Sequence, residues 1–296
     1  MAATWLVTSK TLNLRAAPTV ADDNVLAELP MGTIVVTATD PSSDWAAVTA
    51  GASQGFVSVR YLVRCELPSP RPPAELAAVL PEATLTAIMP ELPADLRAAY
   101  LPWLRAAMLE FHIVGPARGA AFLAQLAHES DELRRMEEGA SGAAYEGRRD
   151  LGNTHRGDGV RYKGRGPIQL TGRANYRAYG ARLGVDLEAW PLLAATPQVG
   201  FRVAGAYWAE HGLNELADVP GNFKLITKEI NGGYNGLDDR LAYYAKAQAA
   251  FAAAAGPPGV ASVERTRPRT IRATSPARTT PSRMRIGPRK RTSSEF

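Results

Sequence analysis

Glu129 is the last residue but one of the stretch Ala124–Ser130, AQLAHES. The run from Gly119 to Ala127 is small and apolar, so it reads as a buried helix. His128 and Glu129 sit at its end, and both are costly to bury without partners. A carboxyl there suits one chemistry well: donating a proton to the leaving oxygen of a glycosidic bond. That task requires a carboxyl that stays protonated near neutral pH. A solvated helix end would explain the same residues with no chemistry at all. Glu146, in Ala144–Arg148, AYEGR, is a second carboxylate, seventeen residues on and inside a glycine-rich loop. An acid on a helix and a base on a facing loop could flank a scissile bond. In an inverting glycosidase the two lie roughly 6.5–9.5 Å apart, with a water between them. The chain between Glu129 and Glu146 permits that geometry without requiring it. Glu137 and Glu138 compete for the second role, but they follow the helix closely and are expected to be solvated.

The next chemistry-bearing stretch is Tyr162–Tyr176, YKGRGPIQLTGRANY. Gln169, Thr171 and Asn175 interleave with Ile168 and Leu170. If Pro167–Thr171 is extended, alternation puts Gln169 and Thr171 on one side, where they could bond a sugar or hold a water. Gly164-Arg165-Gly166 is not a phosphate loop, because no Gly-Lys-Ser/Thr follows it. Further on, Asn231 precedes Gly232-Gly233 and could simply cap a helix. Arg240 could be a surface residue of the last helix. The six Lys/Arg from Arg148 to Arg165 could form a solvated face or attract an anionic polymer.

His128-Glu129-Ser130, Tyr145-Glu146-Gly147, GRGPIQLT over 164–171 with Asn175-Tyr176, and Ile230-Asn231-Gly232-Gly233 occur in that order. Together they resemble the glycoside hydrolase family 19 chitinases, especially the short bacterial and phage lysins of that family. The resemblance spans roughly residues 80–252, and GRGPIQLT is its most specific element. It implies a mainly α, lysozyme-like domain that cleaves β-1,4 bonds between N-acetylated aminosugars with inversion, without metal or cofactor. Glu129 matches the general acid and Glu146 the general base. Thr171 matches a hydroxyl residue that helps hold the attacking water. His128, Tyr162, Gln169, Asn175 and Asn231 fall on the expected groove, and Arg240 matches an arginine that supports the acid. Longer plant members carry a glutamate where this chain has Asn235, so Arg240 is expected to find a different partner here. The loop between Glu129 and Gly164 is also shorter than theirs.

These residues need elements to position them. From about 77 to 254 the pattern is helical. Leu101, Leu104, Met108 and Phe111 share one face, and Leu237, Leu241, Tyr244 and Phe251 share another. Thr196-Pro197 reads as a helix start and Gly212 as its stop. Eight of the 28 positions from 139 to 166 are glycine, so a long loop is expected there.

Residues 1–65 read instead as about five short strands, including Trp5–Val7, Leu12–Leu14, Thr33–Ala38, Trp45–Val48 and Phe56–Val63. LNLRAAPT over 12–19, Leu29–Gly32 and Gly55-Phe56-Val57 resemble bacterial SH3-type domains, which implies a small barrel that binds cell-wall polymers. Residues 66–76, with four prolines, read as a semi-rigid linker. The expected organisation is thus multidomain: a small all-β SH3-like barrel, a linker, a mainly α lysozyme-like domain over 77–254, and a tail over 255–296.

The 296 residues carry a formal charge of +5. Residues 256–296 hold ten Lys/Arg and two Glu, a net of +8, while the remainder holds 24 Lys/Arg and 27 Asp/Glu, a net of −3. The basicity belongs to a tail too poor in apolar residues to fold. A specific nucleic-acid-binding fold is therefore disfavoured. The single cysteine, Cys65, excludes an internal disulfide. No apolar run is long enough for a membrane span, and residues 1–10 lack a basic start followed by an apolar stretch. The expectation is a monomer made in the cytoplasm that acts on the wall after release or delivery. Peptidoglycan is the favoured polymer, with chitin as the alternative. A catalytically silent wall-binding protein is the rival from outside enzymes.

Overall fold

The computed structural model describes residues 2–66 and 73–255. The first part alternates apolar and polar side chains with a period of two, and it forms seven strands: β1 (Ala3–Val7), β2 (Thr11–Arg15), β3 (Val25–Pro30), β4 (Ile34–Thr37), β5 (Trp45–Ala50), β6 (Ser53–Ser58) and β7 (Leu62–Arg64). They make one antiparallel sheet in the order β3-β2-β6-β5-β4-β1-β7. Leu12, Leu14, Val35, Ala46, Val48 and Val57 point to one side and form its core. The expected closed barrel is not what the ladders show. Among the described residues β3 and β7 are edges that do not pair with each other. β7 is only three residues long, and its one pairing partner is β1. β3 went unread because Val25 and Leu26 leave both of its first side chains exposed, which breaks the alternation.

The other face of β1 contributes Leu6 to a larger core, together with Cys65. Met31, Ile34 and Val63 pack against the same core, so the sheet rests directly on the helices. The exit from the sheet is pinned electrostatically. Arg202 donates to the Glu66 carbonyl (2.9 Å) and pairs with Glu110 (2.7 Å). The expected linker is correspondingly shorter. Glu66 is docked, and a helix begins at Pro73, because a proline fits a first helical turn, where its missing N–H costs nothing. Residues 67–72 of that linker, and the tail from 256, lie outside the described residues.

Ten helices follow among the described residues: α1 (Pro73–Val79), α2 (Glu82–Ile88), α3 (Ala94–Glu110), α4 (Pro116–Ser130), α5 (Asp158–Arg161), α6 (Arg173–Leu183), α7 (Pro197–Glu210), α8 (Leu213–Ala217), α9 (Phe223–Asn231) and α10 (Leu237–Ala255). Their buried faces follow the helical period. α9 buries Phe223, Ile226, Thr227 and Ile230, and α6 buries Tyr176, Tyr179, Gly180 and Leu183. α7 starts at Pro197 after Thr196 and ends at Glu210, two residues before the left-handed Gly212 that separates it from α8. The Thr196 hydroxyl, however, bonds the Leu193 carbonyl rather than capping the helix.

α4 is the axis of this part. It packs chiefly on α10, and its residues 119–127 are all buried. Only small side chains allow that approach. A β-carbon on Gly119 would sit 2.6 Å from the Phe251 ring of α10. Gly119→Ala should therefore push the two helices apart and cost about 1–3 kcal/mol. Urea unfolding of the variant checks this, and an unchanged midpoint would contradict the packing described.

Candidate functional site

At the end of α4, Glu129 is 4% exposed and Arg240 of α10 is 1% exposed. They form an ion pair through Glu129 Oε1 and Arg240 Nη2. Arg240 Nη1 donates to Gln125 Oε1, one turn back on α4, and Gln125 Nε2 donates to Thr227 Oγ1 at 2.9 Å. Arg240 Nε reaches the Asn235 backbone carbonyl at 3.3 Å. Arg240 is therefore not a surface residue. The position that differs from the plant pattern supplies a main-chain oxygen in place of a carboxylate. Buried charges are tolerable only when paired and bonded in this way.

His128 lies beside this pair, with Nδ1 2.6 Å from Asp239 Oδ2. Burial, and then the Arg240 charge, hold its pKa below 6.5, against the pull of Asp239 and Glu129.

Beyond Ser130 the chain makes a left-handed turn through Asp131, Glu132 and Leu133. It then returns alongside the GRGP segment. Glu138 N–H donates to the Gly164 carbonyl (3.0 Å), and Gly166 N–H donates to the Met136 carbonyl (2.7 Å). This antiparallel return leaves Glu137 and Glu138, expected to be solvated, half-buried and bonded to protein partners. Glu137 pairs with Lys163 (2.8 Å) and with Arg165. Glu138 Oε2 accepts the Tyr145 hydroxyl at 3.0 Å, while Oε1 is buried and meets no protein donor.

A β-carbon on Gly164 would lie 2.8 Å from Gln169 Oε1, 3.2 Å from Glu138 Oε2 and 3.3 Å from Thr171 Oγ1. Three oxygens from three points in the sequence therefore converge over a residue with no side chain. The convergence does not come from strand alternation as expected. Gln169 is left-handed (φ 56) and closes a turn on Gly166, with Nε2 on the Gly166 carbonyl at 3.0 Å. Thr171 Oγ1 donates to the Gln169 carbonyl (2.9 Å), and Asn175 Nδ2 donates to the Thr171 carbonyl (2.8 Å).

Glu146 sits elsewhere. It is exposed, and its two oxygens accept the backbone N–H groups of Gly157 (2.7 Å) and Gly159 (2.8 Å). Its carboxylate clamps the glycine-rich loop. Tyr162, expected on the groove, is 1% exposed, packs on Tyr176 and donates to the Glu188 carbonyl (3.0 Å), so it supports the loop. Asn231 is the last residue of α9, before a left-handed Gly232, and its Oδ1 is buried without a protein donor. It is thus part of a helix terminus and still holds an unused acceptor. Of the cationic run, Arg148, Arg161, Lys163 and Arg165 are engaged with protein acceptors.

The open cleft of about 810 Å³ lined by Arg156, Asp158, Arg161, Arg173, Asp186 and Glu188 contains neither Glu129 nor Glu138. Among the described residues no three His, Cys, Asp or Glu side chains are grouped to hold a metal, and no helix is long and apolar enough to cross a membrane. Glu138 is the residue that sequence reasoning passed over. The only local hint is its nine-residue offset from Glu129, and the pairing that leaves it half-buried is with residues 164–166.

Residues 117–227 match the family described as chitinase class I, Glyco_hydro_19. A glycosyl hydrolase family 19 domain-containing protein of Haemophilus influenzae is 39% identical over 100 residues, which is 34% of this chain and 48% of that protein. An endochitinase of Arabidopsis thaliana is 38% identical over 132 residues, 42% of this chain and 44% of that protein. The chain thus spans about half the length of the curated relatives it matches. Chitinase C of Streptomyces griseus shares the fold, with a TM-score of 0.51 and 24% identity over 59% of this chain and 93% of that one. The family match and the curated relatives agree on glycoside hydrolase family 19 for this stretch, and the solved structure shares its fold.

The His128 environment generates a pH signature. A depressed histidine binds its proton less well folded than unfolded, so stability falls as pH drops from about 6.5 through the folded value. Melting temperatures between pH 7.5 and 5 should fall more steeply for wild type than for His128→Asn. Parallel curves would contradict this.

Proposed function

We propose that the chain is an inverting glycoside hydrolase acting on β-1,4-linked N-acetylated aminosugar polymers. Glu129 protonates the leaving oxygen, and Glu138, rather than Glu146, activates the water that attacks from the opposite face. The observation that carries this reading is the convergence of Glu138, Gln169 and Thr171 over Gly164, on the strand that returns from Glu129. Such a cluster offers an attacking water a carboxylate acceptor and a hydroxyl. Glu146 lacks that freedom because two loop amides occupy its oxygens. Arg240, itself held by Gln125, orients the Glu129 carboxyl before substrate arrives, and Glu129 acts in its protonated form with Arg240 donating to its carbonyl oxygen.

Peptidoglycan is the favoured polymer and a phage-type lysin the favoured biological role. In this reading the N-terminal sheet is an SH3-type wall-binding module, which keeps the hydrolase at high local substrate concentration. The loop cations at Arg149 and Arg156, both exposed, suit an anionic wall. The protein would act as a monomer, after release or delivery to the wall. Chitin is the second reading, supported by the chitinases among the similar proteins.

The test is hydrolysis of peptidoglycan and of chitin, with mass spectrometry of the soluble products. Glu129→Gln and Glu138→Gln should each lower turnover by about 10²–10⁴-fold, the usual span for a lost acid or base. Glu146→Gln should stay within about tenfold of wild type, because one amide acceptor survives. Full activity in Glu138→Gln with none in Glu146→Gln would reverse the assignment of the base. Products from chitin alone would select the second reading.

A further inference from the structure

α4 ends unlike most helices. Many helices stop at one left-handed residue, usually glycine. Here Asp131, Glu132 and Leu133 are consecutive and left-handed, with φ of 56, 56 and 62. Crowding of Cβ against the carbonyl disfavours even one such residue when it is not glycine, and a run of three needs outside support.

That support is visible. Ser130 Oγ donates to the Leu126 carbonyl (2.6 Å) and accepts the Leu133 N–H (2.9 Å). Glu132 N–H donates to the Ala127 carbonyl (2.8 Å). Leu133 is fully buried. The Glu132 carboxylate is also buried, and both its oxygens are used. Oε2 accepts the Glu91 N–H at 2.7 Å, and Oε1 accepts the Tyr243 hydroxyl at 2.8 Å. Tyr243 lies three residues after Arg240 on α10, hence on the same face. Glu129 and Glu132 are therefore fastened to one face of α10, the first by Arg240 and the second by Tyr243.

We infer that Glu132 is a positioning residue for the two reacting carboxylates. The inference rests on reading Glu129 as the acid. Glu132 touches no sugar, because its oxygens are occupied inside the protein. Its strap holds the left-handed turn, and the turn sets the direction in which the chain leaves Glu129. Five residues beyond the turn, that direction fixes where Glu138 stands opposite Glu129. A carboxylate displaced by about 1 Å costs on the order of 10²-fold in rate while leaving substrate binding largely intact. Glutamine can replace Glu132, since its carbonyl accepts the Glu91 N–H and its amide donates to the Tyr243 oxygen.

The experiment compares full-length wild type with Glu132→Ala, Glu132→Gln and Tyr243→Phe at 25 °C, with Glu129→Gln as control. The substrate is solubilised peptidoglycan strands or an N-acetylglucosamine hexamer, whichever wild type cleaves. Melting temperatures are recorded alongside. Glu132→Ala should lower kcat about 10–100-fold with KM within about twofold, and Glu132→Gln should recover most of the loss. Tyr243→Phe removes a single hydroxyl and should lower kcat about 3–10-fold. If Glu132→Ala does not fold, Tyr243→Phe carries the test. Unchanged kcat in the folded variants, with only the melting temperature reduced, would overturn the inference, as would a loss confined to KM. A Glu129→Gln protein as active as wild type would instead sink the assignment of the acid.

Discussion

The buried ion pair between Glu129 and Arg240 is the constraint on which the rest of the structure depends. Two charges taken out of water lose several kcal/mol each in solvation, and only close pairing with further hydrogen bonds recovers it. The fold supplies those bonds from both sides, through Gln125 and Thr227 on one and the Asn235 carbonyl on the other. Removing one partner of such a pair typically costs about 3–5 kcal/mol. For the pair to meet, α4 and α10 must lie close together. The small residues of α4 and the missing side chain at Gly119 follow from that need. A glutamate held at this depth is poorly explained by stability alone, since an apolar pair of similar volume would serve the fold as well.

The second carboxylate is held by different means. No long helix presents Glu138. It stands on a returning strand whose place is fixed by bonds to residues 164–166 and by the pairing of Glu137 with Lys163 and Arg165. In the glycine-rich loop, charged side chains do what a core does elsewhere. Glu146 clamps two loop amides. Asp158 accepts from Arg173 and from the His155 N–H, and Arg173 also reaches Glu188. Burial works against the Asp158 charge, but these donors outweigh it and hold the carboxyl below its ordinary range. A loop with so many glycines becomes a rigid support because its backbone amides and its acids bond each other.

Much of this was legible in the residue order. The helical period located α3, α4, α7 and α10, and the small apolar run ending in His128-Glu129 marked a buried glutamate. Alternation found most of the strands. What escaped was set by contacts distant in sequence. Glu138 looks solvated until Gly164–Gly166 pairs with it, and the clamping of Glu146 by the Gly157 and Gly159 amides has no local signal. Tyr162 is expected on the groove from the resemblance alone, and its packing on Tyr176 is set by the fold of the loop. Gln169 and Thr171 do meet on one side, through a left-handed turn that no alternation rule anticipates. The prolines before α1 read as linker because proline both starts helices and prevents them, and position alone decides which.

The central claim is that Glu129 and Glu138 act from opposite faces of the bond in a single displacement by water. The most direct measurement is the anomeric configuration of the first products, followed by proton magnetic resonance before mutarotation. The account requires that a β-linked polymer release a new reducing end in the α configuration, with the β form growing in only later. New ends that first appear in the β configuration would mean a double displacement, and would contradict the assignment of Glu138 as the base that activates water.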